Sequence, residues 1–251
     1  MIKIGTCGWS VKGGKKAYFE KFNVIELQET FYRLPRFDTV RKWREIAPAD
    51  FEFTVKGWQV ITHPPYLPTW RRCNLRISES QMDKYGFFKP TEEVYNSWEK
   101  VKEICHILKS TVCIFQTPPS FKYTQENLNN VITFFTTISR DNINIGWEPR
   151  GDWNKPEYRT QLRKLFEEID VCHVVDPLRR EPVYTTNISY FRLHGLGGRE
   201  VNYKYKYTNE DLRKLYTIVQ KYMDTKDIVY VMFNNVFMSE DALRFKSYFQ
   251  E

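Results

Sequence analysis

The apolar segments of this chain end, one after another, on a polar residue. Seven such segments occur in order: IELQET, FEFTVKG, VCIFQT, INIGWEP, VCHVVD, YFRLHG and VYVMFNN. Residues two apart in a β-strand lie on one face, so Arg192 and His194 face opposite to Phe191 and Leu193. Polar ends that recur in this way predict a shared pocket at the C-terminal mouth of a parallel barrel, where barrel enzymes carry their catalytic residues.

Strand-like and helix-like segments alternate along the whole chain. Strands are predicted near 2–8, 23–28, 51–57, 111–116, 143–148, 171–176, 189–194 and 228–234, and helices near 14–20, 37–46, 92–109, 125–138, 156–168, 209–223 and 239–249. Such alternation is typical of a parallel sheet with right-handed crossovers, and eight units close a barrel. The 251 residues match the usual length of one barrel. We therefore expect an α/β fold, a single (β/α)8 TIM barrel spanning 1–251.

The alternative to a barrel is an open, doubly wound sheet. The turn after the first predicted strand reads CGWSVKGGKK and lacks the G-x-G-x-x-G pattern of dinucleotide-binding sheets. The barrel is therefore the preferred prediction.

Two connections are unusually long. Residues 58–91 form a long loop after the third predicted strand and contain Trp58, Trp70, Arg71 and Arg72. Long loops in compact domains are usually functional lids or disordered segments. Residues 195–208 follow the seventh strand, in a position where barrels often bind phosphate. There, Tyr205 belongs to the run YKYKYT, in which aromatic and basic residues alternate. This pattern suits a surface where tyrosines stack on bases while lysines contact phosphates, and it also suits a short edge strand.

The amino-acid composition and net charge limit which kinds of partner and which cellular compartment are expected. A net charge of +7 favours nucleic acid or phosphorylated metabolites, although a lysine-rich surface gives the same value. Five cysteines without a C-x-x-C pair predict neither a zinc knuckle nor a disulfide framework. The N-terminus lacks a secretory pattern, and no apolar run reaches about 18 residues. We expect a cytoplasmic protein without a membrane partner.

Several motifs occur together in a recognisable order. They are IGTCGWS, VIELQETFYRLP, FTVKG, FQTPPSF, WEPRGDW, YFRLHG, YKYKYT and VYVMFNN, and they span Gly5 to Asn235. Together they resemble the YecE-like family, barrel proteins catalogued as a domain of unknown function. The resemblance implies a TIM barrel, which agrees with the prediction from periodicity.

The resemblance implies little about activity. Comparisons of the family with barrel endonucleases of DNA repair rest on shape, which is a fold-level analogy. The family usually has serine where this chain has Cys7, and often asparagine where it has Gln28. We therefore assign no obligatory step to either position.

The first candidate pair is Glu148 with Arg150. Glu148 ends the fifth predicted strand, and Pro149 keeps the chain extended beyond it. The pair suits a general base or metal-binding carboxylate beside a phosphate-binding guanidinium, with Trp153 as a nearby substrate contact. A structural ion pair at the barrel rim is the alternative.

The second pair is Arg192 with His194. A buried arginine needs a partner, which Glu26 or Glu148 supplies from across the barrel, or substrate phosphate supplies instead. In the second case Arg192 clamps the ligand and His194 is a proton donor near neutral pH. The alternative is a salt-bridge network that fills the barrel.

The remaining strand ends complete a polar ring. Its further members are Glu26, Lys56, Gln116, Asp176 and Asn234. Lys56 is expected to contact an anion, because the surrounding carboxylates keep it charged; a Schiff-base amine with a lowered pKa is the alternative. Glu26 and Glu148 also suit the acid/base pair of a glycoside-cleaving enzyme.

A divalent metal is a further possibility. Among four histidines, His106 falls in a predicted helix and His173 faces outward in a strand, which indicates packing. His63 and His194 remain, with Glu26, Glu148 or Asp176 as carboxylate ligands. No H-x-x-E-H spacing occurs, and oxygen-rich ligation suits manganese, magnesium or zinc.

Three functions follow from these residues. The preferred one is an enzyme that acts on a phosphate-bearing or nucleic-acid substrate by acid/base or metal-assisted hydrolysis. The second is a non-catalytic protein that binds an anion or nucleic acid. The third is a glycoside-processing enzyme with Glu26 and Glu148 as its carboxylates.

Overall fold

Eight parallel strands form one sheet in the computed structural model, which describes residues 1–198 and 200–249. They are β1 (Ile2–Cys7), β2 (Val24–Leu27), β3 (Glu52–Lys56), β4 (Val112–Gln116), β5 (Asn144–Glu148), β6 (Cys172–His173), β7 (Ile188–Leu193) and β8 (Ile228–Phe233). Arg199, inside the second long connection, and Gln250 and Glu251, at the end of the predicted barrel, lie outside the described residues.

The sheet curls into a nearly closed barrel. Strands pair in the order β6, β5, β4, β3, β2, β1, β8, β7, so β6 and β7 are the two ends. A single parallel bridge between Val175 and Phe191 joins those ends, and the Arg192 amide donates to the Val175 carbonyl at 2.9 Å. The predicted parallel barrel is confirmed, and its weakest seam lies beside the strand that carries Arg192.

Helices occupy the connections between strands. They are α1 (Gly14–Lys21), α2 (Glu29–Tyr32), α3 (Phe37–Ile46), α4 (Gln59–Thr62), α5 (Glu92–Leu108), α6 (Gln125–Thr137), α7 (Arg159–Ile169), α8 (Asn209–Met223) and α9 (Met238–Lys246). Threonine hydroxyls cap α5, α6 and α8, because Thr91, Thr124 and Thr208 accept from the amides three residues on. None of the described helices is long and apolar enough to cross a membrane.

Three predicted elements differ in extent. The strand expected over 171–176 is only Cys172–His173, although Val175 still makes an isolated bridge to Phe191; the chain turns at Asp176, which accepts the Leu178 amide. The helix expected over 156–168 begins as a 3-10 turn at Pro156–Tyr158. The helix expected over 239–249 ends in a 3-10 turn at Ser247–Phe249.

The long loop after β3 is folded. It contains α4 and two 3-10 helices, Pro68–Arg72 and Glu79–Lys84. Trp70 is buried and its indole donates to the His63 carbonyl at 2.7 Å. This connection therefore forms a packed wall at one side of the barrel mouth.

The barrel interior has an apolar lower layer and a polar upper layer. The lower layer is a cluster of buried side chains comprising Cys7, Val24, Val112, Ile114, Cys172, Val174, Ile188, Tyr190, Tyr230 and Met232. The rings of Tyr190 and Tyr230 stack with centroids 5.1 Å apart. His173, on the opposite strand face, is buried against Phe166 as predicted, and its Nδ1 accepts the Val183 amide at 3.0 Å.

Candidate functional site

Arg192 lies at the centre of the polar layer and is fully buried. Its Nη1 donates to Glu148 Oε2 at 2.5 Å, and its Nη2 donates to Glu26 Oε1 at 2.8 Å. Burial by itself lowers the pKa of Arg192, but Glu26 and Glu148 hold that pKa well above its usual value. Arg192 is thus a permanent cation that binds two carboxylates, as in the predicted salt-bridge network.

Glu148 is the most heavily coordinated carboxylate of the site. Its Oε1 accepts from Arg150 Nη2 at 2.5 Å and from Gln116 Nε2 at 3.2 Å, in addition to the Arg192 contact on Oε2. Burial by itself raises the pKa of Glu148, but Arg150, His194 and Arg192 together hold it well below its usual range. A carboxylate so strongly ionised is a poor proton acceptor, so the geometry does not favour the general base expected at this position. It instead orients the groups around it.

His194 lies just beyond the end of β7 with its imidazole buried. Its Nε2 is 3.0 Å from Glu148 Oε1, and its Nδ1 is 3.1 Å from Asn234 Nδ2. These contacts fit a neutral ring that donates from Nε2 and accepts at Nδ1. Burial lowers the pKa of His194 to about 4, against the opposing effect of Glu148. The proton donor predicted near neutral pH is therefore a neutral imidazole there.

Asp176 supports His194 from the neighbouring strand. Its Oδ2 accepts the His194 amide at 3.2 Å and its Oδ1 accepts the Leu178 amide at 3.1 Å. Burial raises the pKa of Asp176 to about 6. Asp176 therefore fixes the backbone at the seam between β6 and β7.

Lys56 ends β3 and is buried. Its Nζ donates to Gln116 Oε1 at 2.8 Å and to Gln28 Oε1 at 3.4 Å. Burial, and next the charge of Arg192, lower the pKa of Lys56 to about 7 despite Glu26 and Glu148. The carboxylates expected to keep Lys56 charged are both bound to Arg192, whose own charge acts on the pKa of Lys56 in the opposite direction.

Glu26 lies deeper than the other ring members and is fully buried. Its Oε2 accepts from the Tyr190 hydroxyl at 2.9 Å, and its Oε1 accepts from Gln28 Nε2 as well as from Arg192. Both oxygens are therefore occupied from within the barrel. This placement does not support a catalytic Glu26 or a glycoside-type pair with Glu148, since one guanidinium joins the two carboxylates.

A cleft of about 750 Å³ opens above the polar layer. It is lined by His63, Leu67, Pro68, Thr69, Gln116, Thr117, Pro118, Pro119, Arg150, Gly151, Glu200, Val201 and Tyr203. These residues come from the connections after β3, β4, β5 and β7. Of the predicted site residues, Gln116 and Arg150 line this cleft directly.

Arg150 has spare hydrogen-bonding capacity at the cleft. Its Nη2 contacts Glu148 and lies 3.1 Å from His194 Nε2. Its Nε is buried and finds no hydrogen-bond partner in the described part of the chain. The same holds for Arg192 Nε and for several other buried side-chain atoms of the described residues.

Two predicted substrate contacts lie elsewhere. Trp153 is fully buried, its indole donates to the Phe121 carbonyl at 2.7 Å, and the ring stacks on Phe121. Tyr205 donates its hydroxyl to Asp211 Oδ2 at 2.7 Å, beside the start of α8. Both side chains therefore pack within the scaffold and do not line the cleft.

The aromatic and basic run in 195–208 is neither a strand nor a continuous stacking surface. Tyr203 lines the cleft, with its ring 6.1 Å from that of His194, whereas Tyr207 is buried. Gly195 makes this fold possible, because its φ is +83° and a Cβ there would lie 2.0 Å from the Asn202 carbonyl oxygen. The Gly195 amide donates to the Tyr207 hydroxyl at 2.7 Å.

Two residues of the network were not singled out from the sequence. Tyr190 stands two residues before Arg192 on the same strand face, and that spacing was the available signal. Glu200 accepts the Gly151 amide at 2.9 Å and so joins the loops after β5 and β7. No local pattern distinguishes Glu200 from other charged loop residues.

The donor set does not fit the divalent metal considered above. The residues in 1–198 and 200–249 contain no group of three or more His, Cys, Asp or Glu side chains that could hold a metal ion. The guanidinium of Arg192 lies between Glu26 and Glu148, and His63 Nδ1 contacts the Thr62 hydroxyl at 2.8 Å. These candidate metal ligands thus already form ion pairs or hydrogen bonds with other residues.

The barrel and its polar mouth define a TIM-barrel protein with a pocket at the C-terminal ends of its strands. Residues 3–251 match the family model described as "Protein of unknown function DUF72". The chain therefore belongs to the DUF72 family. This confirms the prediction of a barrel family of unknown function, while the YecE-like name stays a prediction.

Individual relatives agree with this assignment. UPF0759 protein YunF of Bacillus subtilis (strain 168) is 25% identical over 268 residues, which cover 94% of this chain and 89% of YunF. A DUF72 family protein from Enterococcus faecalis V583 has a crystal structure with a TM-score of 0.75 and 22% identity, covering 100% of this chain and 98% of that one. Endonuclease IV from Thermus thermophilus has a TM-score of 0.53 at 12% identity, covering 99% of each chain, and shares the fold alone.

Proposed function

We propose that this protein is an enzyme whose barrel mouth binds a phosphate-bearing substrate, with Arg150 holding the anionic group. The observation that carries the proposal is the Arg150 guanidinium, which lines the cleft and keeps a buried Nε without a partner in the described residues. Arginine presents several donors in a planar fork that matches phosphate oxygens. A bound phosphate would supply the acceptor that Nε lacks.

The cleft walls favour a substrate with a flat or apolar body next to its phosphate. Tyr203 provides an aromatic face, and Leu67, Pro118 and Pro119 provide apolar surface. The net charge of +7 adds a general attraction for anions. A nucleotide, free or within a nucleic acid, combines these features.

Proton transfer in this proposal falls to Lys56. A general acid or base works best when its pKa lies near the working pH, and burial lowers the pKa of Lys56 to about 7. Gln116 lines the cleft, and its Oε1 accepts from Lys56 Nζ at 2.8 Å. The Gln116 side chain therefore lies between the amine and a substrate bound in the cleft. Glu148 then holds Arg150 in place, and His194 lies beside both groups.

Replacing Arg150 with alanine should weaken binding of a nucleoside monophosphate by about 10- to 100-fold, because a charge-assisted hydrogen bond contributes about 1.5–3 kcal/mol. Isothermal titration calorimetry of wild type and variant measures the change. Arg163→Ala is the matched control, since Arg163 is exposed on α7 and outside the cleft. Equal affinity of wild type and Arg150→Ala would contradict the proposal.

The same titration with short single-stranded DNA over a salt series tests the nucleic-acid form of the substrate. Binding that weakens with salt and also collapses in Arg150→Ala would support recognition at the barrel mouth. Binding that depends on salt but is indifferent to Arg150 would show that the +7 charge acts only at the surface.

One observation favours a non-catalytic anion-binding protein as the second candidate. Arg150, His194 and Arg192 hold the pKa of Glu148 well below its usual range, and burial lowers the pKa of His194 to about 4. Neither group changes its charge near neutral pH. A nucleotide recovered chemically unchanged after prolonged incubation, with Arg150-dependent binding, would support this second candidate over the enzyme.

A further inference from the structure

The amine of Lys56 has an unusual set of partners for a buried lysine. Its two hydrogen-bond acceptors are the amide oxygens of Gln28 and Gln116, and its Nζ lies 4.1 Å above the ring centre of Phe31. None of these groups carries a negative charge. No carboxylate in the described part of the chain forms an ion pair with Lys56, so nothing holds its proton by direct charge contact.

The charges that face Lys56 also leave its amine free to lose a proton. Glu26 and Glu148 are both bound to Arg192, at 2.8 and 2.5 Å. The positive charge of Arg192 therefore offsets the effect of their negative charges on Lys56. His63, on the other side, is buried, and burial lowers its pKa to about 3, which keeps it neutral. The amine of Lys56 is therefore surrounded by neutral side chains and by carboxylates whose charge Arg192 offsets.

A lysine at the C-terminal end of a barrel strand, next to a cleft with an anion-binding arginine, has the arrangement of a carbonyl-capturing nucleophile. We propose that Lys56 forms an imine with an aldehyde or ketone that also carries a phosphate group. The phosphate end of this ligand depends on the function proposed above, because it is the Arg150 guanidinium that would bind it. The covalent step at Lys56 goes beyond that function.

The step is a condensation in which atoms balance. The lone pair of Lys56 Nζ attacks the carbonyl carbon and forms a C–N bond, the C=O π electrons move to oxygen, and one proton passes from nitrogen to that oxygen. The resulting carbinolamine loses its hydroxyl group as water, which takes the second nitrogen proton, and the electron pair left on nitrogen forms the second bond of C=N. Carbonyl compound plus amine thus gives imine plus one water, and no oxidant or reductant is needed.

Access to the amine runs through Gln116. This side chain lines the cleft, donates to Glu148 Oε1 at 3.2 Å and accepts from Lys56. A carbonyl oxygen that replaces the Gln116 amide oxygen would bring the carbonyl carbon next to Nζ. The cleft volume of about 750 Å³ accommodates a small phosphorylated compound.

The test uses glycolaldehyde phosphate as the probe, with glycolaldehyde as the matched probe that lacks the phosphate. Each is incubated with the full chain at pH 7 and sodium cyanoborohydride, which reduces an imine to a stable secondary amine. Intact mass counts the adducts and peptide mapping locates them. We expect wild type to carry its principal adduct on Lys56, at least 10-fold faster with the phosphate-bearing probe.

Variants sharpen this test. Lys56→Met should lose the principal adduct, whereas Lys206→Met should keep it, because Lys206 is half-exposed and paired with Glu240 on the outer surface. Arg150→Ala should slow labelling by glycolaldehyde phosphate but not by glycolaldehyde. Mapping of the wild-type adduct does not require any variant to fold.

The outcomes separate the two proposals. Adducts spread over surface lysines with Lys56 unmodified would overturn the inference, even if nucleoside monophosphate binding still depended on Arg150. Labelling of Lys56 at equal rates by both probes would support the nucleophile and overturn the phosphate-binding role of Arg150.

Discussion

Replacing Arg192 with methionine is expected to lower the free energy of unfolding by about 3–5 kcal/mol, the usual cost of removing one partner from a buried ion pair. Arg192 is fully buried and is the shared cation for Glu26 and Glu148. Methionine fills much of the volume but leaves both carboxylates without this charge. Urea unfolding followed by circular dichroism at pH 7 measures the loss.

The cost in this variant is electrostatic, because two buried carboxylates then lie close together without the guanidinium between them. A second substitution, Glu148→Gln in the Arg192→Met background, should restore part of the stability. The control Arg163→Met should change stability by less than about 0.5 kcal/mol, as is usual for exposed sites. If Arg192→Met lost no more stability than Arg163→Met, the stabilising role of the buried network would be refuted.

Lowering the pH from 7 to 5 is expected to destabilise the wild-type protein by several kcal/mol. Burial lowers the pKa of His194 to about 4 and those of His63 and His173 to about 3. In the unfolded chain each histidine titrates near 6.5. Between these values the unfolded state binds more protons, so stability is fully present above pH 6.5 and is lost as pH falls toward 4.

Two other groups modify this dependence. Burial raises the pKa of Asp176 to about 6, so its contribution has the opposite sign and favours the folded state as pH falls through 6. Because three histidines outweigh one aspartate, the net effect in this window remains acid destabilisation. Burial lowers the pKa of Lys56 to about 7, so stability should also rise with pH between about 7 and 10.

Urea unfolding at half-unit steps from pH 5 to 8 measures this dependence. His173→Gln is the informative variant, because glutamine keeps an acceptor for the Val183 amide but does not titrate. Its stability should depend less steeply on pH than that of wild type. Identical slopes for the two proteins would show that His173 is not held neutral in the folded state.

Much of the scaffold was predictable because it depends on local chemistry. Alternation with a period of two separated Phe191 from Arg192 and His194, and the alternation of strand-like and helix-like segments predicted the order of the barrel. The exceptions have a tertiary cause. Beyond the short sixth strand, Asp176 accepts the amide of His194, which lies just past the end of β7 and far away in sequence.

The positions of the site residues were less predictable from the sequence, although the sequence identified most of the residues themselves. Period-two alternation identified the strand ends, but Trp153 and Tyr205 have the same chemistry as cleft residues and pack into the scaffold. Their positions follow from contacts with Phe121 and Asp211, which no short-range pattern reveals.

The sequence by itself determined that polar strand ends would meet at one mouth of a parallel barrel, because side-chain direction in a strand is a local property. Only the tertiary structure decided which charges cancel. Arg192 takes both Glu26 and Glu148, and Lys56 is left with amide oxygens as its hydrogen-bond acceptors. The pKa of a buried group depends on its distances to charges from distant parts of the chain. Those distances exist only once the barrel has closed.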